Sequence, residues 1–405
     1  MMALQAKKGR IEKIVIVAQQ PLDAWNCKRF GIQLLQDAGF MVEYWDLSPI
    51  LEPNSAPHSA AAQFRHPSIV VLTTIGELQK RFDALDSKSF IFSFVSYTAD
   101  LRSIRLFRMM SRTAVGYSLF MVMPIPEKNE SDEKFTNTVL HLTKKLMRHI
   151  NLLPKKVLKS FVLSRLPFSW LGIRPARLVV LASDKCIINS FPCDEKTEFL
   201  NCHTFDYDFY MEEMAREARP EQPIAVFLDQ YIPFHPDWHF MGFTAQIDAG
   251  PYFKYLNNFF DLVEEKLGVK VVIAAHPRSN YDEMPDYFNG RTCVRGMTAE
   301  LISQSRLVIA NHSAAINLAN LFYKPIIFIT SQEMDARNFK KFVHAMAGLH
   351  EKKPIYIDSA FTIDWDGELK VDRAAYDDYR RSYIKSDGSP ELPFWEIVAK
   401  RVRDI

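Results

Sequence analysis

The strongest constraint on this chain is an alternation that occurs twice. Short runs of branched and aromatic residues are separated by stretches with helical periodicity. In the first third, such runs fall at 14–18, 41–45, 68–72, 89–95 and 114–123, with a helix-like stretch at 28–38. A second series begins near 222. Runs at 224–228, 271–275, 292–294, 307–310 and 326–329 are interleaved with helical patterns at 252–267, 299–303 and 314–321. Apolar runs of strand length between helices predict parallel strands covered on both faces. The class is α/β, with two doubly wound Rossmann-like domains facing a cleft. A chain of 405 residues is too long for one ordinary core and divides naturally into two. The expected domains are 1–215 and 216–405, with the last helices (373–383 and 394–403) packing back across the cleft.

Composition narrows the function. Net charge is +2, so no whole-molecule field favours nucleic acid. No run approaches the roughly 18 apolar residues of a membrane span. The basic residues ahead of 14–18 are followed by too short an apolar stretch for a signal peptide, and a first buried strand is expected there. Five cysteines without a Cys-x-x-Cys pair speak for a reducing compartment and against a disulfide framework or a zinc site. A cytoplasmic location is expected. No Gly-x-Gly-x-x-Gly follows the first strand, so the dinucleotide fingerprint is absent.

The residues that carry chemistry follow the strands, where open α/β sheets bind ligands. Val271–Ala275 runs into His276-Pro277-Arg278. Pro277 biases His276 to an extended conformation; its imidazole and the Arg278 guanidinium suit a phosphate. Leu307–Ala310 runs into Asn311-His312-Ser313. Ser313 or Asn311 is placed to cap a helix starting at Ala314, whose N–H groups would hold an anion. Thr298 reads as another helix cap, with Glu300 in the first turn. Asp229 closes the strand at 224–228 and opens a loop containing His235-Pro236, which ranks below His276 as a phosphate contact. Tyr231, Phe234, Trp238 and His239 are candidates to stack on a base or sugar, or to pack. Two Asp-x-Asp triplets, Asp206-Tyr207-Asp208 and Asp364-Trp365-Asp366, follow no clear strand and are expected on solvated loops.

In this order, His276-Pro277, Glu300 and Ser313 resemble the donor half of the GT-B glycosyltransferases. The nearest types are bacterial sialyltransferases, polysialyltransferases and Kdo transferases that use a CMP-activated sugar. The resemblance covers about 222–335. It implies that His276 and Ser313 contact the donor phosphate and that Glu300 or a neighbour contacts the ribose. It also implies inverting transfer without a metal or other cofactor. His276 is then both a binding and a catalytic candidate, with Pro277, Arg278, Asn311, His312 and Asp229 around the donor. The family's acidic triplet, which supplies the base, is missing from the first domain. Asp100, after the strand at 89–95, is the leading candidate for that base, and Asp46 the second.

The expected partners are a nucleotide-sugar and a glycan or lipid-linked acceptor of bacterial surface polysaccharide synthesis, with no nucleic acid. Arg102, Arg105, Arg108 and Arg112 share one helix face by spacing. From 134 to 177 lysines and arginines interleave with large apolar residues without one acid. Such basic amphipathic segments suit an anionic membrane surface, which would place the chain on the inner membrane face. The strand–His-Pro and strand–Ser elements also look like CDP-polyol phosphotransferases and UDP-sugar 2-epimerases. A non-catalytic glycan-binding or scaffold module is a further alternative, supported by the missing triplet.

Overall fold

The computed structural model describes residues 10–51, 63–95, 97–98, 100–122, 124, 126, 163–183, 185–186, 191–235, 247–337 and 339–405. Trp238, His239 and the basic stretch 134–162 lie outside them. The first sheet comprises β1 (Lys13–Ala18), β2 (Met41–Asp46), β3 (Ile69–Val71), β4 (Ser89–Ser93), β5 (Gly116–Met121), β6 (Leu178–Leu181) and β7 (Glu198–Asn201). Their order is β3-β2-β1-β4-β5-β6-β7, and every pair is parallel. The second sheet comprises β8 (Ile224–Leu228), β9 (Lys270–Ala275), β10 (Cys293–Arg295), β11 (Leu307–Ala310), β12 (Ile326–Thr330) and β13 (Ile355–Tyr356). Its order, β10-β9-β8-β11-β12-β13, repeats the same winding, again all parallel.

Two Rossmann-like domains of this kind make the GT-B architecture. In each, strand order reverses beside the first strand, between β1 and β4 and between β8 and β11. A crevice opens there at the carboxyl ends. The sequence runs mark the central strands because those are apolar on both faces. β6, β7 and β13 escape them. β6 is four residues long at the end of the basic stretch, β7 is a half-exposed edge strand, and β13 has two residues.

Helices cover both faces. In Leu101–Arg112, Ile104, Phe107 and Met110 point into the core with Trp45 and Tyr117, while Arg102, Arg105 and Arg108 are exposed. This three-residue recurrence is what a one-sided helix requires.

The last helix, Phe394–Arg403, packs on the first sheet. Trp395 lies against Phe92, Phe120 and Phe205, with ring centroids 5.7, 5.7 and 6.1 Å apart. Its indole N–H donates to the Arg29 carbonyl at 2.7 Å. Gly31, at φ +57, makes this approach possible, because a Cβ there would overlap the indole. Of the two helices expected to cross back, this one does. Arg373–Tyr379 stays with the second domain, where Tyr376 is buried beside Val308 and Phe328.

Candidate active site

The carboxyl edge of the second sheet is knotted by Asp229. Its carboxylate accepts hydrogen bonds from the Tyr231 N–H at 2.9 Å, the His276 N–H at 3.2 Å and the Tyr281 hydroxyl at 3.2 Å. Burial pushes its pKa up to about 6 against these donors. The knot fixes the loops after β8 and β9 to each other. It also holds Tyr231 at φ +56, a conformation costing an aromatic residue about 1–2 kcal/mol. Asp229 therefore acts on the site through the backbone of His276.

His276 is half-buried. Its Nδ1 accepts from the Arg278 N–H at 3.2 Å, which places the proton of the neutral ring on Nε2. Its carbonyl accepts from the Ser279 N–H at 2.9 Å and the Ser279 hydroxyl at 2.8 Å. The turn around the exposed Pro277 is thus closed on itself. Arg278 Nη2 donates to His235 Nε2 at 3.2 Å, and the His235 and His276 rings lie 4.8 Å apart. The sequence ranks His235 below His276; the fold brings both to one place. Tyr231 and Phe234, read as residues that either stack on a ligand or pack, are packed with Phe253, Tyr281 and Tyr287.

After β11, Asn311 is fully buried and donates to the Ile329 carbonyl at 2.8 Å, while its Oδ1 has no partner. His312 Nδ1 is also shut off from solvent without a partner. The ring sits against Phe339 and Phe342, 5.0 and 5.9 Å away. Burial, with a smaller push from His235, lowers its pKa to about 3, so it is neutral. Such buried unpaired acceptors cost about 1–3 kcal/mol each and call for a partner the chain does not supply.

Ser313 does not cap a helix at Ala314. The helix is Ile316–Leu321, with Ala315 at its cap, and the Ser313 hydroxyl accepts from the Ala315 N–H at 3.3 Å. Nor does Thr298 cap. Met297 holds that position before Thr298–Gln304. Glu300, expected to face a ribose, is paired with Arg216 at 3.4 Å and with Arg219.

The facing edge of the first sheet uses its acids locally. Asp46 accepts from the Ser48 N–H at 2.8 Å. Asp100 caps Leu101–Arg112 through the Arg102 and Ser103 N–H groups at 2.8 and 3.0 Å. Burial raises the Asp100 pKa, but the Thr98 hydroxyl and those N–H groups outweigh it and leave it lowered. A lowered carboxyl is a weak base.

What the first domain brings to the cleft is Arg29, at the end of the Ala24–Arg29 helix after β1. Its guanidinium lies over the Phe205 ring at 5.0 Å. Burial lowers its pKa, Asp206 opposes this, and Arg278 across the cleft adds to it. Asp206 stands in the first turn of Phe205–Met214, the helix joining the domains. Asn317 donates to it at 2.9 Å, and the Tyr379 hydroxyl donates to Asn317 at 3.2 Å. Burial raises the Asp206 pKa, with Asn317 and Arg29 countering. Asp208 is also raised, by burial, and accepts from the Phe394 N–H at 2.9 Å. The Asp206-Tyr207-Asp208 triplet is thus helical and drawn into the domain junction, not on a solvated loop. Asp364 caps Trp365–Leu369. Among the described residues no group of three or more acidic, His or Cys side chains forms a metal site.

Sequence reasoning passed over Arg29 and gave Asp206 no part in the site. The one available signal was position: Arg29 belongs to the first strand–helix unit, whose end opens on the crevice.

No protein-family model and no curated protein matches the sequence. The fold is similar to solved structures. A variant of the wall teichoic acid polymerase TagF soaked with CDPG is 11% identical, with a TM-score of 0.49, over 97% of this chain and 88% of that one. The glycotransferase of kitacinnamycin is 12% identical, with a TM-score of 0.44, over 98% and 94%. The UDP-GlcNAc 2-epimerase of Methanocaldococcus jannaschii, in complex with UDP-GlcNAc and UDP, is 9% identical, with a TM-score of 0.39, over 91% and 98%. The fold rests on the strand order of this chain, and the chemistry on its residues.

Proposed function

We propose that this chain is a glycosyltransferase that moves a sugar from a nucleotide-activated, CMP-linked donor to a glycan or lipid-linked acceptor at the inner membrane face. The carrying observation is the cradle of His276, Arg278 and His235 at the carboxyl edge of the second sheet, faced by Arg29 from the first domain. Arg29 and Arg278 lie within electrostatic range of each other, and two cations so placed suit an anion. The proton on His276 Nε2 suits the same phosphate.

In the reaction the acceptor oxygen forms a bond to the anomeric carbon. The bond from that carbon to the phosphate oxygen breaks, and the nucleotide leaves with the electron pair. The arginines and His276 stabilise the charge that develops on the leaving phosphate, without a metal in this reading. The acceptor proton goes to a base. Asp206 takes that role in place of Asp100, because its carboxyl is raised and held at the domain junction.

Thermal-shift titration with CMP, CDP, UMP and UDP tests the reading. A cytidine nucleotide is expected to raise the melting temperature in the manner of a native-state ligand, and Arg278→Ala to abolish the rise. No shift with any nucleotide would overturn it.

A further inference from the structure

The first domain carries a cationic surface that the transfer reading does not use. Arg102, Arg105 and Arg108 are all exposed along one face of Leu101–Arg112. Among the described residues, no acidic side chain forms an ion pair with any of them or with Arg112, Arg174 or Arg177. Beside this face a turn at 167–172 presents Trp170, which is 79% exposed. Leu101, at the start of the helix, is 56% exposed.

The turn is rigidly joined to the helix. It is closed by the Trp170 and Ile173 N–H groups donating to the Pro167 and Phe168 carbonyls at 3.0 and 2.9 Å. Phe168 packs on Tyr97 at 5.0 Å, and Tyr97 on Phe107 of the helix at 5.3 Å. The Arg174 N–H donates to the Ser111 hydroxyl at 2.8 Å. Arg108 lies directly against Gly172. An indole held in water beside a row of arginines gains nothing from the fold. At a bilayer it enters the headgroup layer while the arginines meet anionic lipid.

We infer that this face, Arg102, Arg105 and Arg108 with Trp170 and Leu101, docks the chain on an anionic lipid bilayer. The occupant follows from charge complementarity together with the aromatic anchor, which a bilayer interface accommodates and a polyanion in solution does not require. Leu101 directly follows Asp100 at the carboxyl edge of β4, so the docked face adjoins the crevice edge. A lipid-linked molecule would then reach the cleft without leaving the membrane. The docking surface itself does not depend on the transfer reading.

The test is co-sedimentation of the full chain with phosphatidylcholine vesicles, with and without phosphatidylglycerol, at low and high salt. Binding is expected with phosphatidylglycerol only and is expected to fall with salt. The triple variant Arg102→Gln, Arg105→Gln, Arg108→Gln should bind on the order of a hundredfold more weakly, each cation near the surface contributing about fivefold. In Trp170→Ala, the blue shift of tryptophan emission on adding vesicles should shrink. These side chains are exposed, so both variants are expected to keep the wild-type melting temperature and its response to nucleotide. Vesicle binding unchanged in the triple variant, or indifferent to salt or to phosphatidylglycerol, would overturn the inference. So would loss of RNA or heparin binding in that variant with vesicle binding intact.

Discussion

The two sheets share a winding, yet their carboxyl edges are built differently. At the first edge, the acids are spent on backbone. Asp23 accepts from the Asn26 N–H at 2.6 Å, while Asp46 and Asp100 hold the N–H groups that follow them. At the second edge, Asn311 Oδ1, His312 Nδ1 and Gln230 Oε1 are buried without partners, and His276, His235 and Arg278 gather within contact of one another. The first edge also leaves the buried Ser93 hydroxyl at the end of β4 without a partner, but its carboxylates are satisfied and stabilise its loops. An unsaturated edge keeps a standing cost that a ligand can remove. In the proposed function the donor phosphate is assigned to the second edge, with Arg29 and the junction carboxylate of Asp206 supplied by the first domain.

The sharpest break in this comparison is between two carboxylates. Asp206→Asn is expected to lower turnover by about 10²–10⁴-fold with nucleotide binding retained. Asp100→Asn should leave turnover within an order of magnitude. Single-turnover rates beside nucleotide affinities would decide it, and a large loss in Asp100→Asn with none in Asp206→Asn would return the base to the first edge. Next in size, Arg278→Ala and Arg29→Ala should each weaken nucleotide binding by about 10–100-fold, as for the loss of a charged hydrogen bond. Titration calorimetry would show this, and an Arg29 effect confined to catalysis would detach the first domain from the phosphate.

The pH dependence of stability sharpens the contrast within the second edge. Burial holds the His312 pKa at about 3, below its unfolded value. Its stabilisation is therefore present above about pH 6.5 and is lost as pH falls toward 3. Asp229 is raised to about 6, so its contribution is present below about pH 4 and is lost as pH rises through 6. The two slopes oppose each other between pH 4 and 6, each up to about 1.4 kcal/mol per pH unit. In denaturant melts, Asp229→Asn should steepen the acid loss. His312→Phe should leave a stability that declines toward neutral pH. Parallel profiles for both variants and the wild type would refute these assignments. The smallest effect is at the first edge, where Asp100→Ala should cost about 1 kcal/mol of stability as a lost helix cap.

Local pattern made much of this legible. Val271–Ala275 and Leu307–Ala310 read as strands because they are apolar on both faces, and the polar residues that follow must then lie at the sheet's edge. The same logic placed Asp100 and Asp46 at the other edge. It could not tell that their carboxyls would be consumed by their own helices, since a cap and a base look alike in sequence. Glu300 was read as a ligand contact for want of its partners, Arg216 and Arg219, some 80 positions away. Asp206 was placed on a solvated loop because no strand announces it, and its hydrogen-bond partner Asn317 lies 111 positions on.

The sequence by itself determined that the chain forms two parallel-sheet units and that His276, Arg278 and Asn311 end their strands. Those properties depend on periodicity and on neighbours within a few residues. Tertiary structure alone decided that His235 meets His276, that Arg29 lies over Phe205, and that Trp395 seats beside Gly31 to hold the Arg29 carbonyl. Those encounters depend on how the two sheets are set against each other, and electrostatic fields and close packing act through space without regard to separation along the chain.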